Sequence, residues 1–366
     1  PGQAAHEAAC PFAICQRAVA PLQAESQELR TQNQQLQAQC TGLQSECQEL
    51  HAQNQQLQSR VRALEGEGEE GGRRRRQRVG PAPHDALPSD AELEEMELAE
   101  VVAALRAHVA VARVAKKACA RLEDLCELEG SEQAAAEAGA IEAVVEVMRA
   151  HLQVASVQDD GCCALANMCF GDGAAGWARC QRAANAGAIE AVVEALRAHP
   201  QVVAVQRQGC CALGNMCDGN DGDDAAALAR CQRAAAAGAI EAVVPAVRAH
   251  LHVAGVQEYG YGALANMCNG DDAAAPARRQ RAVAAGAIEE VVAAMRAHLL
   301  EEEVQASCCD ALVSICSGGA GVRARCRRAT QAGGRAAAVA AMQAHPDHDE
   351  VQDFGQQVLD CLPAEA

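Results

Sequence analysis

The segment AGAIEAVVEALRAH at 186–199 recurs almost unchanged at 138–151, 237–250 and 285–298. Fourteen residues written four times belong to a unit that is itself copied, and this constrains the fold more than any other feature. Within the 186–199 copy, Ile189, Val192, Val193 and Leu196 stand at i, i+3, i+4 and i+7, one apolar stripe along a helix. Gly187 before the stripe predicts a left-handed break that ends a short helix, ARCQRAANA. Glu190 in the first turn, and Arg197 and His199 in the last, complement the helix dipole.

A second amphipathic helix follows, with Val157, Gly161, Ala164, Leu165 and Met168 on one face. Gly161, Gly209 and Gly260 inside these helices cost about 1 kcal/mol each relative to Ala. Close approach of a neighbouring helix would offset that cost. Each unit therefore reads as short helix, turn, amphipathic helix, bend, amphipathic helix. His108, His151, His199, His250, His298 and His345 mark the series, and length changes fall only in the loop after each unit, such as DGNDGDD at 218–224. One unit cannot bury both stripes; stacked units can. Pro245 inside one copy is expected to kink its helix, at about 3 kcal/mol if uncompensated.

Composition agrees. Half of the residues are hydrophobic but only 2% are aromatic, which suits close-packed helices better than a sandwich or barrel. From Asp90 onward there are 22 Lys and Arg against 39 Asp and Glu, the opposite of what phosphate binding requires, so no nucleic acid is expected on this part. The chain holds twenty cysteines and no CxxC. Cys162, Cys210 and Cys309, and Cys169, Cys217, Cys268 and Cys316, recur at fixed places. They read as small hydrophobes on buried helix faces in a reducing compartment. The residues present contain no signal-peptide pattern and no apolar run long enough for a bilayer, so a cytoplasmic protein, nuclear in the alternative, with no membrane contact is the expectation.

After an N-terminal segment, 1–18, residues 19–64 carry Leu22, Leu29, Leu36, Leu43, Leu50, Leu57 and Leu64 seven apart without a break. With these at d, Asn33 and Asn54 fall at a, the pattern of a parallel dimeric coiled coil about 70 Å long. Cys40 and Cys47 would also lie in the seam, as filler or as a cross-link. The segment, NQQLQSRVRALE above all, resembles the leucine zipper of basic-zipper transcription factors. It departs from them in lacking a basic helix before the zipper. Residues 65–90 form a charged, Gly- and Pro-rich linker. Within it Arg73, Arg74, Arg75, Arg76 and Arg78 read either as a nuclear localisation signal or as a solvated tether.

Over residues 91–362, AGAIEAVVEALRAH…VQRQGCCALGNM resembles the armadillo repeat, whose pattern runs roughly EAGAIPPLVQLL…VQEEAAWALSNL. The resemblance implies an all-α fold: an armadillo-type α-solenoid, a right-handed superhelix of about five to six repeats, preceded by the long coiled-coil helix. HEAT repeats are the near alternative and lack the short first helix. It further implies that Asn167, Asn215 and Asn266 line a concave groove and bond the backbone of an extended partner segment. The plainer reading is that they satisfy backbone groups inside the array. The family's aromatic clamp position holds Cys163, Cys211 and Gly262, so recognition of basic signals in that manner is not implied.

The histidines are too far apart along such an array to share a metal. The 218–224 loop fails the EF-hand pattern, with Gly222 where a ligand is needed. No GxSxG, P-loop or Ser/Cys–His–acid set is present. The reading is a non-enzymatic scaffold or adaptor without cofactor or metal, binding protein in its groove and paired by the coiled coil. The alternatives are a nuclear regulator that pairs with basic-zipper proteins, and a structural subunit of a larger assembly.

Overall fold

A computed structural model describes residues 87–126, 130–171, 173–219 and 225–363. The chain divides into Pro1–Asp85 and Ala86–Ala366, and the second unit alone is described below. The heptads of 19–64, the arginine run at 73–78 and most of the 218–224 loop lie outside the described residues.

Among the described residues there are eighteen helices and no strand. Helix α1 (Asp90–Glu95) precedes a pair, α2 (Leu98–Ala107) and α3 (Ala112–Cys126). Five triplets follow: α4 (Ser131–Ala138), α5 (Ala140–Ala150) and α6 (Ala155–Cys169); α7 (Gly173–Ala186), α8 (Ala188–Ala198) and α9 (Val203–Cys217); α10 (Ala225–Ala237), α11 (Ala239–Ala249) and α12 (Ala254–Cys268); α13 (Ala275–Ala285), α14 (Ala287–Ala297) and α15 (Glu302–Cys316); α16 (Val322–Ala332), α17 (Gly334–Ala344) and α18 (Asp349–Cys361). The third helices α3, α6, α9, α12, α15 and α18 pack each against the next, and the second helices do likewise. No described helix is long and apolar enough to cross a membrane.

The stripes read from the sequence form the core: Ile189, Val192, Val193 and Leu196 of α8 and Val157, Ala164, Leu165 and Met168 of α6 are all buried. The recurrent cysteines are buried with them, and no described cysteine is in a disulfide. The helical glycines mark close approach, as their cost implied. A Cβ added at Gly209 would lie 2.7 Å from Leu196 Cδ2, and one at Gly161 would lie 2.7 Å from Met148 Cγ.

One expectation changes. The first helices are not uniformly short: α7 and α10 run 14 and 13 residues against 11 for α8 and α11. The Ala-rich residues before ARCQR extend them, since alanine is the best helix former. Pro245 does not interrupt α11, which spans the same eleven residues as α5 and α8. Its ring lies on the exposed side, so the main loss is one amide donor to the Glu241 carbonyl.

Units are joined by side chains that repeat at each junction. Gly187 (φ 85°) both ends α7 and starts α8, a conformation that favours glycine. Its carbonyl accepts from Arg149 Nη2 of the preceding unit at 3.1 Å, and Gly238 accepts from Arg197 likewise. His199 Nε2 lies 2.7 Å from the Leu152 carbonyl, one residue past the previous histidine; His151, His250, His298 and His345 repeat the contact. A carbonyl only accepts, so Nε2 carries the proton. The histidines are thus ties between units as well as helix ends, more than a dipole contact.

Five arginines are buried beside these seams, Arg279 and four that share one pattern. Arg230 donates from Nε to the Met216 carbonyl at 2.7 Å and from Nη2 to the Asp218 carbonyl at 2.9 Å. Arg179, Arg278 and Arg325 bind the ends of α6, α12 and α15 in the same way. Each brings a positive charge to the negative end of a helix dipole and satisfies carbonyls that a helix end leaves open.

Candidate functional site

The third helices bury two sides and leave one partly exposed. On α6 that side carries Asp159, Asp160, Cys163 and Asn167; on α9, Arg207, Gln208, Cys211 and Asn215; on α12, Glu258, Tyr259, Gly262 and Asn266. All twelve recur at equivalent places because the register from bend to helix end is fixed. The sequence singled out five of them, and the fold brings those five onto one face.

The asparagines do two things. Asn215 Nδ2 donates to the Ala166 carbonyl at 3.0 Å, and Asn266 Nδ2 to the Gly214 carbonyl at 3.1 Å. Each therefore ties its helix to the preceding third helix, which is the plainer of the two sequence readings. Their Oδ1 atoms accept no hydrogen bond from a described residue, so each retains an acceptor at the surface. Asn167, half-buried, makes no side-chain hydrogen bond to a described residue. Cys163 is buried, and its sulfur accepts from Gln208 Nε2 at 3.1 Å, another tie between units; Cys211 is half-buried.

The variable positions carry the chemistry that the sequence reading missed. Tyr259 is a half-buried aromatic one turn before Gly262, and a Cβ at Gly262 would meet nothing within 4 Å. The aromatic ring absent from the clamp position is present beside it, next to open space. Arg207 lies near enough to Asp159 and Glu258 to offset part of the rise that burial gives both carboxyls, and forms no ion pair with a described residue. The detectable signal was variation: Asp160, Gln208, Tyr259 and Ser307 occupy one position in otherwise matching helices.

Several carboxylates here are held against their preference for water. Burial, with Asp159 adding repulsion, pushes Asp160 up to about 6, and its Oδ2 has no hydrogen-bond partner. Burial likewise pushes Asp310 up to about 6, although Ser314 Oγ donates to it at 3.3 Å. Asp159 and Glu258 are raised by burial and by the charges of Glu123 and Glu303. Toward the C-terminal end the face is one sign. Helices α12, α15 and α18 contain eight Asp and Glu and no Lys or Arg. At the other end, Arg113 and Lys117 of α3 are covered by Asp90 and Glu94 of α1.

Glu302, Glu303 and His348 form one further cluster, with one potential ligand atom from each lying within 4.8 Å of the others. His348 Nδ1 accepts from the Val351 amide at 3.3 Å, so Nε2 carries the ring proton and is not a ready ligand. The arrangement as a whole can present acceptors, negative charge and one aromatic ring to an extended chain. Compared with protein-family models and with curated proteins, the chain matches none of them.

Proposed function

We propose that the chain is a non-enzymatic interaction scaffold, an armadillo-type α-solenoid that holds an extended partner segment along its third-helix face. The observation that carries this reading is the contrast within those helices: the buried positions are copied, while the exposed ones differ and keep unspent acceptors. An amide oxygen at each rung suits the N–H groups of an extended backbone. The acidic stretch over α12, α15 and α18 favours Lys or Arg in the part of the partner that lies there. The leucine heptads of 19–64 are proposed to pair two chains in parallel, so that two weak contacts act together.

An array of extended twelve-residue peptides of varied charge tests the groove. Bound peptides are expected to be rich in Lys and Arg, to lose affinity with salt, and to bind at least tenfold more weakly to Glu303→Lys with Glu350→Lys. Binding that ignores charge and both substitutions would sink the acidic face as the site. Asn215→Asp with Asn266→Asp keeps an oxygen at each rung and removes the tie between helices. Binding retained there but lost in the double Ala variant would assign the oxygens. Light scattering of the full chain under reducing conditions checks the pairing, and a monomer mass ends it.

A further inference from the structure

A second candidate site lies away from the third-helix face, between second helices α8 and α11. Here a cavity of about 310 Å³ opens, with Leu196, Ala242, Ala246 and Ala249 as its apolar lining. Two prolines border it, Pro200 at the bend after α8 and Pro245 within α11. In the other units the position of Pro200 holds Val109, Leu152, Leu251, Leu299 or Pro346, and that of Pro245 holds Glu or Ala. The proline within the second helix is therefore what sets this junction apart.

Proline brings two consequences. Its side chain is shorter than the glutamate of the two preceding units, which leaves the space. It also has no N–H, so the Glu241 carbonyl, four residues earlier and on the cavity wall, lacks its helical donor. A second acceptor comes from Gln206, which is 1% exposed and lines the same cavity. Its Nε2 is spent on the Leu196 and His199 carbonyls at 3.0 and 2.9 Å, so Oε1 is the atom left without a partner. In Gln158, Gln257 and Gln305 that oxygen is sealed inside the protein. Gln206 instead lines the cavity.

The lining selects among occupants. Gln206 Oε1 and the Glu241 carbonyl are acceptors at the cavity without a protein donor, and an occupant that displaces water from them must bring one. The apolar floor requires a flat hydrophobic body. Arg197 on the rim, held by the Ala237 and Gly238 carbonyls, repels a cation but stacks well on an aromatic ring. The volume stands at the lower end of the ~300–1,000 Å³ typical of ligand pockets, room for one two-ring group. We propose that the cavity between α8 and α11 binds a neutral indole-type group through its N–H, whether a tryptophan side chain of a partner or a free heterocycle. The proposal does not depend on the groove reading above.

Fluorine NMR on the full chain tests it, with 5-fluoroindole, its N-methyl form and N-acetyl-5-fluorotryptophanamide as probes. The chain's own Trp177 is silent in this experiment. Line broadening by 5-fluoroindole is expected, with at least fivefold weaker binding of the N-methyl form. Pro245→Glu, which restores the residue of the preceding units, should abolish binding with helicity by circular dichroism unchanged. Pro245→Ala returns an N–H to the Glu241 carbonyl and should narrow the preference over the N-methyl probe. Ala246→Leu, which fills the floor, should also abolish binding. The tryptophanamide binding as well assigns a protein side chain; binding of the free heterocycle alone assigns a small molecule. Equal binding of the N-methyl probe, or full binding to Pro245→Glu, overturns the proposal.

Discussion

From one bend to the next, a histidine and a glutamine reach equivalent carbonyls in each unit and an arginine reaches the glycine break or the alanine before it, whereas on the third-helix face equivalent positions hold Asp160, Gln208, Tyr259 and Ser307. The same helices build both surfaces. A seam residue always meets a copy of the same neighbour, so one solution serves throughout. A face residue is less bound to a copied neighbour, although Gln208 does donate to the Cys163 sulfur, and is freer to differ, even to the extent of holding carboxylates partly out of water. Seam residues should therefore cost stability when changed, and face residues should return some.

The largest effect is expected at a seam. Arg230→Met leaves the Met216 and Asp218 carbonyls without their donor in the interior, and should remove about 3 kcal/mol in urea unfolding followed by circular dichroism. A loss below about 1 kcal/mol would reduce the seam arginines to fillers of space. On the face, Asp310→Asn should raise stability by about 1–2 kcal/mol at pH 7.5. Burial raises the Asp310 carboxyl to about 6, above its unfolded value near 4. The native state then binds the proton more tightly, so the penalty is absent below about pH 4, grows through pH 4–6 and is complete above. The variant's advantage should vanish at pH 4, and an advantage independent of pH would break the comparison. The smallest effect belongs to Glu190→Gln, which removes the bidentate Arg233 pair, with Nε at 2.7 Å and both side chains well exposed. It should cost under about 1 kcal/mol and nothing measurable in 1 M salt.

How much could be read beforehand follows the same division. The stripe through Ile189, Val192, Val193 and Leu196 and the break at Gly187 were plain because periodicity and backbone chirality are local properties. The burial of Arg230 was not, because a polar residue on a first helix reveals nothing of the carbonyls it meets across a loop. One trace existed: an arginine stands eight residues before Gly187, Gly238, Gly286 and Gly333 alike. The asparagines were placed on the right face, but their donation to Ala166 and Gly214 needed the neighbouring helix to be seen. Tyr259 escaped notice for a different reason. Its position varies from copy to copy (Asp160, Gln208, Ser307), but variation alone does not tell which variant lies beside open space.

Where α6 and α9 are followed by the next first helix, the thiol of Cys180 or Cys231 touches the carbonyls of the third helices on either side of it, at 3.3 and 3.4 Å. At the following junction Arg279 takes that place, binding the Cys268, Gly270 and Ser314 carbonyls. The chain is thus only partly modular. Excising α7–α9 would bring together ends that already speak the same chemical language, and a shortened chain should close. Moving α13–α15 elsewhere would carry a guanidinium into a slot shaped for sulfur. Lengthening or trimming such a chain by whole units is open in its middle and barred at the junction that Arg279 occupies.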